Sequence, residues 1–290
     1  MKPSGRVFGM VMAVGLVSMA CGPASQLEVE VDAPGLEVQK DKPGGQDTNG
    51  TPKQAWHTWK GTMANALRGP LLQGGAIQPA IIASGILADA EGKEVFDHTV
   101  RCALAEGAFV THDGTVYKGR GLVNGASSWR TQWLPQEVID SVMECVIAFV
   151  NDKTDLVNVL LTSLLTNHDG KDHSAFIHGE AVWCARAGTM GIVDVDVYPT
   201  RSFVSRCGID AAAALEQRYC HEVGSCGLTY KGILEDRTDE CAAVGPPEDG
   251  VYKCNRRACT MTWLEDAEPD WCDPPGPAPD SPSGGHTTRG

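Results

Sequence analysis

Eleven cysteines lie unevenly along these 290 residues, and their placement limits what the chain can fold into more than any other feature. Cys21 follows a basic start (Lys2, Arg6) and an apolar run from Val7 to Val17, and setting it aside leaves an even ten. An even set of cysteines in an exported chain reads as a disulfide framework. From Trp56 to Trp183 there are only Cys102 and Cys145, whereas Cys184, Cys207, Cys220, Cys226, Cys241, Cys254, Cys259 and Cys272 crowd into the remainder. The first stretch must therefore fold mainly by burying apolar faces, and the second by covalent staples across short loops. The expected fold class is α+β, a helical and hairpin N-terminal part followed by a disulfide-rich, strand- and loop-rich C-terminal part.

The apolar run near the start is about 11 residues, and a helix needs roughly 20 to cross a bilayer, so it reads as a signal-peptide core. Val17-Ser18-Met19-Ala20-Cys21 resembles the lipobox of bacterial lipoproteins, in which a small residue precedes the modified cysteine. That resemblance implies cleavage before Cys21, acylation of its thiol and, with Gly22 in place of an inner-membrane-retaining Asp, sorting to the outer membrane. The alternative is an ordinary secretory signal cut near Ala20 with Cys21 left as an odd thiol. Export is expected on both readings.

The formal charge is −13, and the two bases before Cys21 bring the remainder to −15. An acidic body repels phosphate backbones and anionic lipid surfaces, which argues against nucleic acid and leaves the lipid as the membrane contact. Lys118 with Arg120, and Arg256 with Arg257, are too few to alter that balance.

Composition divides the chain further. Residues 1–20 are the signal, and 21–55 are the lipidated cysteine and a Pro-, Gly- and charge-rich tether. Residues 56–170 are an α+β subdomain, 171–272 a disulfide-rich subdomain, and 273–290 a Pro-rich tail. Within the tether, Leu27 to Val31 alternates like a short strand.

Trp56, Trp59, Met63, Ala66 and Leu67 recur at helical spacing until Arg68-Gly69-Pro70; Ile77 to Leu87 reads as a second helix, and Glu94 to Leu104 as a helix or extended entry. β-prone runs flank His112-Asp113-Gly114, a hairpin signal. A strong helix starts at Pro135, with Val138, Val142, Cys145, Val146, Phe149 and Val150 on one face. Leu156 to Leu165 favours a buried strand over a helix, and Ala181 to Ala185 and Ile192 to Tyr198 form a strand meander. Cys102 and Cys145, alone in their part and about 40 residues apart, are expected to pair, which contributes roughly 3 to 4 kcal/mol. The meander is expected to return the chain so that Cys184 pairs with Cys207. Asp210 then caps a helix over Ala211 to Cys220.

Arg101-Cys-Ala-Leu104, the hairpin ending Tyr117-Lys-Gly-Arg-Gly-Leu122, Glu144-Cys145 in a helix running to Asn151, Gly179-Glu-Ala-Val-Trp-Cys184 and Cys226-Gly-Leu228 occur in this order. The arrangement, from Trp56 to Cys259, resembles a group of cysteine-rich predicted lipoproteins of myxobacteria. The resemblance implies a fold and a location, without an activity.

No cofactor or metal is expected. His168, His173 and His178 recur every five residues among Asp169, Asp172 and Glu180, a spacing that suits neither a helix face nor a strand face. His178-Gly-Glu180 lacks the Pro-Cys-x-x-Cys partner of zinc deaminases. Cys220, His221, Cys226, Cys241, Cys254 and Cys259 are donors zinc accepts, but they contain no Cys-x2-Cys knuckle, and export favours disulfides. Ser84, Ser127 and Ser128 lack a Gly-x-Ser-x-Gly elbow. Asp194 and Asp196 share a strand face, read as solvated rather than as calcium ligands or paired carboxylates.

Two classes of function follow. One is a lipid-anchored envelope protein with a binding or structural role and a protein or glycan partner, in which Trp129, Trp133, Trp183, Trp263 and Trp271 serve the core or anchor a contact. The other is a secreted hydrolase or metal-dependent enzyme with its site around residues 167–180; no catalytic residue can be named for it.

Overall fold

The computed structural model describes residues 47–48, 53–150, 158–166, 174, 176–207, 215, 219 and 227–264. Cys21, Cys220, Cys226 and Cys272, the Cys207 side chain, the two termini, His168, His173 and Asp210 lie outside them, as does most of Ala211 to Cys220.

β1 (Asp47–Thr48) precedes α1 (Lys53–Ala66), whose Trp56 and Met63 face the core together with Leu67 just past its end, and Arg68-Gly69-Pro70 follows as the stop. β2 (Leu72–Gln73) and β3 (Ala76–Ile77) make a small hairpin over Gly74-Gly75. The helix expected from Ile77 to Leu87 is only α2 (Pro79–Ala83). Proline sets its first turn, and Gly85, at φ 85°, ends it.

α3 (Ala90–Ala103) resolves the helix-or-extended choice toward helix. Asp89 caps it, accepting from the Gly92 amide at 2.7 Å, which contributes about 1 kcal/mol. Glu91 in its first turn and Arg101 in its last complement the helix dipole. β4 (Phe109–His112) and β5 (Thr115–Lys118) pair around Asp113-Gly114, both at positive φ, as the Asp-Gly signal requires. α4 (Gln136–Ala148) follows Pro135 and buries ten of its thirteen residues, far more than one face. A helix enclosed on nearly every side belongs at the centre of a core: α3 packs against it on one side, β7 and β12 on the other.

β6 (Asn158–Thr162) is the strand read in Leu156 to Leu165. β7 (His178–Ala187) and β8 (Val193–Pro199) are the meander, and α5 (Arg201–Cys207) follows. β9 (Leu228–Tyr230), β10 (Cys241–Ala243), β11 (Tyr252–Cys254) and β12 (Arg257–Leu264) complete the described elements. Among these residues the main sheet runs β1-β6-β12-β7-β8-β9, curled so that β12 also pairs with β11 and β11 with β10. One hydrophobic cluster extends from Ala55 to Leu264, so packing is continuous across residue 170, where cysteine density marks a division.

Three disulfides lie among the described residues. Cys102–Cys145 ties α3 to α4, as expected. Cys184 pairs with Cys259 and not with Cys207, because β12 returns antiparallel beside β7 and sets Cys259 one step beyond the Thr260/Trp183 pair. Cys241–Cys254 joins directly opposed residues of β10 and β11. The sulfurs of Cys184, Cys254 and Cys259 lie within 4.8 Å of one another, so two bridges stack in a second cluster with Tyr198, Leu234 and Met261. Each of these sulfurs is taken up in a disulfide, Cys184 with Cys259 and Cys254 with Cys241, which takes them out of the zinc donor set.

Candidate functional site

β12 carries Thr260 and Thr262 toward α4, while Cys259, Met261 and Trp263 face the stacked disulfides; strand alternation makes this separation. It follows β7 from Leu264 opposite His178 to Thr260 opposite Trp183, then leaves to pair with β11. The sheet forks there, and the edge of β7 over residues 185–187 loses its strand partner. Buried backbone groups still require hydrogen bonds.

Side chains supply them. Glu144 Oε1 accepts from the Ala185 amide and Asp140 Oδ1 from the Ala187 amide, each at 2.9 Å. Arg257 donates to the Ala185 carbonyl at 3.0 Å. Gln136 at 2.9 Å and Arg68 at 2.5 Å donate to that of Ala187. Asp140 and Glu144 are four residues apart on α4, hence on one face, which is why one helix can serve alternate amides of one strand.

Burial pushes both carboxyls up. For Asp140 the rise is opposed by the Ala187 amide, Gln136 and the guanidinium groups of Arg257 and Arg68. Glu144 is almost fully enclosed and is held well above the ordinary range by desolvation, despite bonds from Thr260 and Ala185. Beneath it, Thr262 donates to Glu180 Oε2 at 2.7 Å, and Trp183 Nε1 donates to the same hydroxyl at 2.9 Å. Tyr219 reaches Glu180 at 3.3 Å. The β7/β12 register slips by one residue here: Thr262 faces Ala181 and Trp263 faces Gly179. A bulge of this kind re-aims a side chain and accounts for Glu180 turning inward.

Above this buried layer the fork opens into a cleft of about 610 Å³, within the range of small-molecule sites. The start of α4 forms one wall with Pro135, Gln136, Glu137 and Asp140; Lys253, Arg256, Arg257 and Ala258 of the β11/β12 hairpin form the other; Leu164, Leu165 and Ala185 lie between. Among the described lining residues none is Ser, Thr, Cys or His, and the cleft offers charged groups and apolar surface for binding.

The residues singled out in the sequence fall elsewhere. Glu180 is fully buried in the core, and His178 sits in β7 opposite Leu264. Asp194 is exposed as expected, but Asp196 is buried, 3.5 Å from Arg186 and 3.9 Å from Arg257, which corrects the solvated reading for that residue. Trp129 and Trp183 are core, Trp263 is partly buried and Trp133 is exposed, while Trp271 lies outside the described residues. Asp140 was not found from the sequence: it occupies a polar position of an amphipathic pattern, and nothing local announces the strand edge it meets. Among the described residues, no helix is long and apolar enough to cross a membrane.

Compared with known proteins, the chain matches no family model, no curated protein and no solved structure.

Proposed function

We propose that the chain is an exported lipoprotein of the cell envelope, acylated at Cys21 and held at the outer membrane through the tether that begins there and ends before β1, and that its folded body binds a ligand. It belongs with the cysteine-rich predicted lipoproteins of myxobacteria, with their helical and hairpin part followed by a disulfide-rich part.

The observation that supports the export half is the set of three disulfides, all six cysteines being at most 5 % exposed. Bridges enclosed in the core support folding in an oxidising compartment, the environment expected beyond a signal peptide. Several acyl chains on Cys21 supply stable anchoring, since one chain alone binds only marginally. The cleft at the fork supports a binding role over a structural one, because its lining charges serve no described internal contact on Lys253, Arg256 or Glu137.

Mass spectrometry of the mature N-terminus, with membrane fractionation, tests the location. Diacylglyceryl-modified Cys21 in the outer-membrane fraction is expected; an unmodified Cys21 overturns the anchor.

A further inference from the structure

We propose that the fork between β7 and the β11/β12 hairpin holds a short peptide by its two free ends, the ammonium against Glu137 and Asp140 and the carboxylate against Arg256 and Lys253. This names the ligand class for the binding role above and rests on that reading.

Charge placement is the first reason. The side chains of Glu137, Lys253 and Arg256 make no hydrogen bond or ion pair among the described residues, although all line one cleft. Both described bonds to Asp140 go to Oδ1, from Ala187 and Gln136, which leaves Oδ2 without a described partner. Opposite charges therefore stand on opposite walls without closing on each other. Arg257, from the same hairpin, is by contrast committed to Ala185 and Asp196.

Arg256 adds a second reason. It occupies the second position of the two-residue turn Asn255-Arg256, at φ 66°. Glycine is favoured there, and a larger residue gives up about 1 kcal/mol or more of backbone energy. A guanidinium kept at such a position fits a role for its side chain at the cleft mouth.

The third reason separates end recognition from strand addition. An extended peptide adding to a sheet needs unpaired backbone groups on the edge. Along residues 185–187 those groups are taken by Glu144, Asp140, Arg257, Gln136 and Arg68. What remains for a ligand is two charged walls and an aliphatic floor of Leu164 and Leu165. A zwitterion with an aliphatic body matches all three surfaces, and recognition depends on its ends more than on its side-chain sequence.

The test is calorimetric titration of the purified protein with Leu-Ala, Leu-Ala-Ala and Leu-Ala-Ala-Ala, each also N-acetylated, C-amidated or capped at both ends. At least one free peptide is expected to bind, and capping either end to weaken it by about tenfold, the scale of one charge-assisted bond in a partly exposed site. In Asp140→Asn, acetylation should cease to matter while amidation still does; Arg256→Ala should show the reverse. Glu137→Gln, at an exposed position without described contacts, serves if Asp140→Asn misfolds. Capped peptides binding as well as free ones would overturn end recognition while leaving the cleft a binding site. Absence of binding by every peptide would overturn the ligand class, and the Cys21 mass from the same preparation shows independently whether the lipoprotein reading stands.

Discussion

Glu144 on α4 and Thr260 on β12 meet at 2.9 Å, both almost fully enclosed, although 116 residues separate them in the chain. The other oxygen of the same carboxyl holds the Ala185 amide, so one side chain joins the central helix to both strands at the fork. Desolvation favours its neutral form in the folded state. The stabilisation from a raised carboxyl is fully present below its unfolded value of 4.5 and is lost as pH rises through the folded value.

Glu144→Gln keeps an acceptor for the Ala185 amide and, with the direction of the second bond reversed, sets an amide donor against the Thr260 hydroxyl, without a titrating proton. It should equal the parent at acid pH and exceed it at neutral and alkaline pH, giving a flatter dependence of stability on pH in urea unfolding. Glu144→Ala should lose about 2 to 4 kcal/mol at acid pH, since it leaves a buried amide and hydroxyl unpaired and opens space. An unchanged pH slope in the Gln variant would mean that the carboxyl is ionised in the fold.

His98 acts in the opposite direction. It is buried, stacks on Phe149 with ring centroids 4.7 Å apart, and is lowered to about 3 by desolvation, with Arg101 adding to the effect. A depressed histidine contributes stability above its unfolded value of 6.5 that is lost as pH falls toward the folded value. His98→Phe should reduce the fall in Tm between pH 6.5 and pH 4; an equally steep fall would place the acid sensitivity elsewhere.

Removing the Cys102–Cys145 bridge, which closes a segment of 43 residues, should cost about 4 kcal/mol by loop entropy. The Cys102→Ser, Cys145→Ser double variant, unfolded in denaturant without reductant, measures it. A non-reducing peptide map should recover Cys184 joined to Cys259 and Cys241 joined to Cys254; a Cys184 to Cys207 peptide would contradict the strand order.

Gly250 permits one close contact. Its φ is 64°, its carbonyl accepts from Thr162 at 2.8 Å, and a Cβ there would lie 2.4 Å from that hydroxyl and 2.6 Å from the Trp263 ring. Gly250→Ala should destabilise by about 2 to 4 kcal/mol, combining left-handed backbone strain with overpacking. A loss under 0.5 kcal/mol, measured by chemical denaturation, would show that the Trp263 side moves freely.

Elements carried by local rules were legible in advance. Asp113-Gly114 marks its hairpin, Pro135 the start of α4, and the alternation of Asp and Val the strand β8. Cys102 and Cys145 could be paired because their part of the chain offers no competing cysteine. Ile77 to Leu87 misled because apolar composition does not reveal that Gly85 halts a five-residue helix. Asp196 misled because alternation marks a face without telling what packs on it; Arg257 arrives from 61 residues further along and neutralises it.

The sequence by itself determined the helices and strands whose periodicity lies within about ten residues, and the net acidic charge, because these depend on composition and on neighbours along the chain. Only the tertiary structure decided that β12 inserts between β6 and β7 and then leaves at Thr260. That strand order chose Cys259 as the partner of Cys184, 75 residues away, turned Asp140 and Glu144 into substitutes for a missing strand, and opened the cleft. Pairing among non-consecutive strands follows from closing one core over all of them, and no short stretch of residues encodes it.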